Sequence, residues 1–389
     1  MTHAKLSPSS SHRWIPCAAA PTLEAAFPNE TSKDAAIGLL CHEVAGTCLK
    51  HETNAEDYVG VEFVGHDIPF TADLVDAVQT YVDAVRDYAQ ADSIYVETKV
   101  PVGFLTGEEG AEGTADAIIL AGDTLQIHDA KFGRMPVAAE RNEQLMMYAL
   151  GALSQFGIIE PFKKFLLVIH QPALNRVDEW ACTLDELNDF ARDVSQAAQL
   201  VELASHRPHA YASPSAKACR HCKAKSTCPA AVDKVQKDIG AMFTDLTAAP
   251  SAPINISEAG RVVEYVEMWC AAVRKEIARQ LFSGTSVEGF KLVKGREGNR
   301  EWTDAKEVAQ HLTSVLKNDA YERSLISPTK AEKLLKKHPV WAIKVEPLIK
   351  RSPGKPSIVP ASDKRSAMDM NTELEFKDLT TETTHGENR

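Results

Sequence analysis

Apolar positions recur along the first half of the chain in two alternating rhythms. In "AIGLLCHEVAGTCLK" (36–50), Ile37, Leu40, Cys41 and Val44 fall at helical spacing. Leu74, Val75, Val78, Val82 and Val85 form a second helical stripe within 72–90. "SIYVETKV" (93–100) alternates and is rich in β-branched residues, which predicts a strand. "GTADAIILAGDTLQIHDAKFG" (113–133) predicts two more strands, broken by a turn at "AGD" (121–123). A helix of good formers over 140–156 follows, then an apolar strand over 162–172. A helix over 183–205 opens on Thr183 and Glu186, which fit a capping box. The order α, β, β, β, α, β, α predicts one α/β fold: a mixed sheet flanked by helices.

A cysteine-bearing loop occupies 214–230, and "TAAPSAPIN" (247–255) has linker composition. A helix over 257–282, a hairpin "GFKLVKGREGNREW" (289–302) and two short helices are expected next. From about 351 the chain is rich in Pro, Ser and charge. The expected organisation is a domain over 1–235 with the cysteine cluster and a linker over 236–256. A smaller, mostly helical region with the hairpin follows at 257–350, then an extended, largely disordered tail at 351–389. A length of 389 residues suits roughly two domains. No run of about 18 apolar residues exists, so no membrane partner is expected. The first residues lack an apolar signal core, which makes the cytoplasm the expected compartment. The net charge of −11 argues against a uniformly basic nucleic-acid binder but says little about local patches.

The chemistry concentrates in the two-strand stretch. Leu125, Ile127, Asp129 and Lys131 share one strand face, and a hairpin sets Asp116 beside Asp129. Burying unpaired charges is costly, so something must compensate them. A divalent metal is one candidate; an Asp129–Lys131 salt bridge with Asp116 in a turn is the bland alternative. His42 in its apolar helix is either a core histidine or a ligand. Gln144 and Tyr148 stand at i and i+4 on one helix face. Glu97 either leans into the same site or faces solvent.

Of eight cysteines, Cys219, Cys222 and Cys228 form C-x₂-C-x₅-C, a metal-site spacing. The fourth ligand is either Cys17 or His221; His221 favours zinc, and four thiolates suit an iron–sulfur cluster. Cys41, Cys48, Cys182 and Cys270 lack such spacing and are expected in the core. Around the cluster, His206, Arg207, His209, Lys217, Arg220, His221, Lys223 and Lys225 form either a solvated loop or a phosphate-tracking wall. Arg274, Lys275 and Arg279, with the basic hairpin, suit single-strand binding or a charged edge.

"GLLCH" (38–42), "GTAD" (113–116), "DAK" (129–131) and "QLMMY" (144–148), in this order, resemble the motifs of the RecB-type branch of the PD-(D/E)XK nuclease superfamily. The resemblance implies a restriction-endonuclease-like αβββαβ core. It implies Mg²⁺ or Mn²⁺ held by His42, Asp116 and Asp129, with Glu97 as a possible addition. It implies Lys131 as the catalytic lysine and Gln144 and Tyr148 as site or DNA-contact residues. One cysteine before the core and three after it resembles members with a [4Fe–4S] staple, here Cys17, Cys219, Cys222 and Cys228, with Zn²⁺ as the alternative. The hairpin and "SPGKPSIVPASDKR" (352–365) resemble an uncharacterised phage family that carries this nuclease domain, over about residues 5–366. Together these imply a metal-dependent DNA exonuclease that processes DNA ends or single strands in phage recombination, replication or repair. It would act in the host cytoplasm, with a phage single-strand-binding or annealing protein as a possible partner. The alternative is a catalytically silent DNA-binding or scaffold protein. The intact set of His42, Asp116, Asp129 and Lys131 argues against it.

Overall fold

Helix and strand rhythms in the sequence become layers in space. The computed structural model describes residues 4–28, 32–90, 92–158, 161–242 and 256–291. Short helices α1 (Ser11–Trp14) and α2 (Ala20–Glu24) lead to α3 (Lys33–His51) and α4 (Ala72–Ala89). Strand β1 (Ser93–Pro101), the short α5 (Gly103–Thr106), β2 (Glu112–Ala121) and β3 (Thr124–Ala130) follow. Then come α6 (Glu143–Phe156), β4 (Lys164–Gln171), β5 (Arg176–Cys182) and α7 (Leu184–His206). Three further helices, α8 (Ala216–Arg220), α9 (Pro229–Met242) and α10 (Ile256–Phe282), close the described chain.

The five strands form one mixed sheet in the order β1-β2-β3-β4-β5. All neighbours are antiparallel except β3 and β4, which run parallel and are joined through α6. That connection fits the need of a parallel pair for a crossover. Alternation along β2 and β3 sends Ile118, Leu125 and Ile127 to the face covered by Leu145 and Met147 of α6 and Val194 and Val201 of α7. Ala117 and Ile119 face the other way, against Leu40 and Val44 of α3 and Val78 and Val82 of α4. The result is a three-layer α/β/α unit with a sheet buried on both sides.

Local signals fix several boundaries. The Thr183 hydroxyl accepts from Glu186 N–H at 3.2 Å and Thr183 N–H donates to the Glu186 carboxylate at 2.9 Å, so α7 has the expected capping box. Asn142 caps α6 by accepting from Leu145 N–H at 3.2 Å. That helix therefore starts later than the composition of 140–156 suggests. Lys131 lies one residue past β3, although its N–H still donates to His170 O at 2.8 Å, prolonging the pairing with β4. Asp116 is the fifth residue of β2 rather than its start.

The chain divides into two compact units, Met1–Lys294 and Gly295–Arg389. The first takes in α9 and α10, which composition puts at and beyond a linker. The second lies outside the described residues, as do most of the expected hairpin (289–302), the short helices after it and the tail. Among the described residues, no helix is long and apolar enough to cross a membrane.

Candidate metal centre and cysteine site

The β2–β3 ladder stops at Ala117–His128, one pair short of Asp116 and Asp129. At that opening the Asp116 carboxylate takes over the ladder's role: its Oδ2 accepts from Ala130 N–H at 2.8 Å. The same oxygen lies 3.2 Å from Nδ1 of His42, which α3 brings over the sheet. On the other side of β2, the β1 register skips Glu97 between Val96–Ala117 and Thr98–Ala115. Glu97 has a φ of +48°, a conformation that costs a non-glycine residue energy and turns its side chain out of the regular pleat. His42, Glu97 and Asp116 thereby place one ligand atom each within 4.8 Å of one another. Gly46, one turn beyond His42, makes this possible, because a Cβ there would sit 2.9 Å from Glu97 Cγ.

Asp129 belongs to an adjoining set. The Lys131 ammonium lies 2.8 Å from Asp129 Oδ2 and donates to Gln144 Oε1 at 3.1 Å. The Gln144 amide donates in turn to Asp129 Oδ1 and to Tyr148 Oη, both at 3.1 Å. One glutamine thus ties the lysine, the aspartate and the tyrosine together, and the i, i+4 pair of α6 meets as its spacing predicts. Gly113 of "GTAD" clears room for this arrangement: a Cβ there would lie 2.7 Å from the Tyr148 ring. Every residue singled out for the metal-and-lysine centre converges here. The tight three-ligand group, however, contains Glu97 in place of Asp129.

Charge in the centre is strained towards the negative. Burial, then the neighbouring Asp116, pushes Glu97 up to about 7. Asp129 is also raised, chiefly by burial with Asp116 adding, although Lys131 opposes the shift. Burial works against charge on Asp116, yet His42, its hydrogen bond and the Ala130 N–H hold that carboxyl below its usual range. His42 and Lys131 show the mirror image: burial disfavours their charged forms, and the carboxylates outweigh it and raise both. The ion pair with Lys131 does not give Asp129 Oδ2 a well-directed hydrogen bond, so a buried carboxylate oxygen retains unused acceptor capacity. Three carboxylates and an imidazole form a donor set suited to a hard divalent cation.

Tyr81 of α4 escapes sequence reasoning. It is buried, its Oη has no hydrogen-bond partner among the described residues, and burial together with Asp116, Asp129 and Glu97 raises its pKa. Its signal was a tyrosine next to the Val78–Val82 stripe, where a hydroxyl enters an otherwise apolar layer. A buried histidine pair beside it was also missed: His128 Nδ1 and His170 Nε2 are 2.9 Å apart, and His128 Nε2 donates to Gln126 Oε1 at 3.0 Å. Burial holds both rings neutral, His170 down to about 4.

One substitution separates site geometry from fold stability. Gly46→Ala improves helix propensity by about 1 kcal/mol but drives a methyl into Glu97. The expected outcome is an unchanged or higher melting temperature with Mn²⁺ affinity lowered about 10-fold or more, read by titration calorimetry. Unchanged Mn²⁺ affinity would remove Glu97 from the centre.

The cysteine-bearing loop folds back onto the N-terminus. Glu24 accepts from Arg13 Nε at 3.1 Å and from Lys223 N–H at 2.9 Å, and Ser213 N–H points at Cys17 Sγ from 3.4 Å. Cys17, Cys219, Cys222 and Cys228 are all buried. Burial raises the Cys17 thiol, with charge effects from Cys219 and Cys228 among the further causes. The Cys222 thiol rises to about 12 through burial, then Glu24, with Cys219 and Cys17 adding. Cys17 and Cys219 pack in separate buried clusters, and among the described residues the four sulfurs do not form a group as tight as that of His42, Glu97 and Asp116. Tyr265 of α10 lies against Cys219, its Oη 3.6 Å from the Sγ.

Fold and site define a mixed α/β protein with a carboxylate-rich centre at a splayed hairpin. The chain belongs to a family of proteins of unknown function, DUF2800, which matches residues 3–366. It is also similar to the crystal structure of SSO0001, at 17% identity with a TM-score of 0.23, over 38% of this chain and 64% of that one.

Proposed function

We propose that this protein is a metal-dependent deoxyribonuclease of the RecB-type PD-(D/E)XK branch, an exonuclease that processes DNA ends. The observation that carries the reading is the opening of the β2–β3 ladder. There Asp116, His42 and Glu97 meet within ligand distance and the Asp129–Lys131 pair stands alongside. His42, Glu97 and Asp116, with Asp129 at their side, would hold Mg²⁺ or Mn²⁺. Such an ion supplies charge neutralisation at a phosphodiester and a more acidic water.

The chain's own residues do the rest. Asp129 and Gln144 fix the Lys131 ammonium in one place, charged, at the edge of the carboxylates. From there it can orient an attacking water and stabilise the negative charge that develops on phosphorus-bound oxygens. Tyr148 holds the far side of Gln144 and keeps the amide from rotating. The four cysteines would bind a [4Fe–4S] cluster, which joins the N-terminal segment to the loop after the core.

End-labelled single- and double-stranded DNA, incubated with chelator-treated protein, tests the reading. Added Mg²⁺ or Mn²⁺ is expected to restore progressive loss of the end label, and chelator to abolish it. Folded protein that cleaves no DNA with either ion would overturn it.

A further inference from the structure

A cavity of about 310 Å³ lies between the cysteine-bearing loop, α10 and Phe27–Pro28. Arg220, Lys223, Lys225, Lys275 and Arg279 line it, and Glu276 is its single acid. In a chain with a net charge of −11, five cations around one small cavity are a local inversion of sign. Three come from the cysteine-bearing loop and two from α10, segments that are far apart in sequence. Arg279 and Arg220 are paired with Glu276 and Glu264, and Lys275 is exposed.

His221 on the cavity wall meets the His12 ring edge-on at 5.5 Å. Burial, then Arg13 and His221, push His12 down to about 4, with Lys131 and Lys217 adding. Lys217 is ion-paired with Glu143, the residue before Gln144 on α6.

We propose that the cavity under α10 binds the phosphate backbone of a single DNA strand. The inference rests on the nuclease reading of the metal centre and adds a second contact for the strand. Five cations from two chain segments supply charge for phosphates. The whole-chain acidity confines attraction to this cavity, which steers a polyanion to it.

Binding of a fluorescent single-stranded oligomer longer than about 16 nucleotides, measured in chelator, tests this without cleavage. For Lys225→Ala/Lys275→Ala the slope of log affinity against log salt is expected to fall by about 1.4, or about 0.7 for each phosphate no longer neutralised. Affinity should weaken evenly across sequences. Lys164→Glu, at the far end of β4, is the control expected to bind as wild type. In the wild-type protein, a bound strand is expected to protect Lys225 and Lys275 from acetylation, a readout that needs no variant to fold. Unchanged affinity and slope, equal loss in the Lys164→Glu control, or no protection of these lysines would each overturn the site. Absence of cleavage with Mg²⁺ or Mn²⁺ would instead sink the nuclease reading and leave this binding result standing.

Discussion

Lys131→Ala is expected to lower the rate of DNA cleavage by about 10²–10³-fold while leaving DNA binding within a few-fold of wild type. The size follows from position. The ammonium is held at the edge of the carboxylates, 2.8 Å from Asp129 and 3.1 Å from Gln144, and its carboxylate neighbours favour its charged form. A group that acts only on developing charge affects the transition state and not the bound substrate, so the loss falls on kcat. Removing the lysine also leaves Asp129 buried without its cation, which destabilises the fold locally. Lys131→Arg separates these effects, because a guanidinium keeps Asp129 paired without placing its donors where the ammonium stands. If Lys131 serves only to neutralise Asp129, this variant regains activity; if Lys131 acts on the reaction, it stays impaired. Asp116→Ala is expected to be equally inactive and, unlike Lys131→Ala, to lose Mn²⁺ affinity as well, because it removes the acceptor of His42. Full cleavage by Lys131→Ala would overturn the assignment.

How much of this was legible in the sequence varies element by element. The β2–β3 hairpin could be read because its apolar residues alternate across a short turn, and α7 because Thr183 and Glu186 announce its start. Strand β5 was hidden because its pattern is inverted. Val177 faces out, whereas Asp178 is buried and accepts from Ala139 N–H at 2.8 Å. No hydrophobic period marks a strand whose inward residue is a hydrogen-bonded carboxylate. In the site, His42, Asp116, Asp129, Lys131, Gln144 and Tyr148 were recognisable as a motif set. Glu97 could be read only as one of two alternatives, leaning into the site or facing solvent, because its place depends on one positive φ angle that no local spacing encodes. Gly46 and Gly113 looked like ordinary helix and strand glycines; only packing against Glu97 and Tyr148 shows why a side chain is excluded. The docking of α10 through Tyr265 was equally invisible, since its partner Cys219 lies 46 residues away across a linker-like stretch.

Cys222→Ser is expected to lose the visible absorbance of an iron–sulfur cluster and to melt about 10–20 °C lower than wild type. The size comes from chain entropy. Joining Cys17 to Cys219 closes a loop of roughly 200 residues, and a cross-link of that length restricts the unfolded chain by about 5 kcal/mol. For a folded unit of this size, each kcal/mol corresponds to about 2–4 °C. The native contacts at the junction include Glu24 with Lys223, the Ser213 N–H at Cys17 and a small apolar cluster of Cys17, Ala19, Ala20 and Ala218. None of them restricts the unfolded chain as a cross-link would. Cys270→Ser is the control: Cys270 is half-buried on α10 and outside the four-sulfur set, so colour and melting should stay as in wild type. Loss of the tie should also open α10 to protease, because Tyr265 then no longer rests on a fixed Cys219. A colourless wild-type protein carrying one equivalent of zinc would keep the staple but replace its metal. A metal-free wild-type protein that melts at the same temperature as Cys222→Ser would remove the staple altogether.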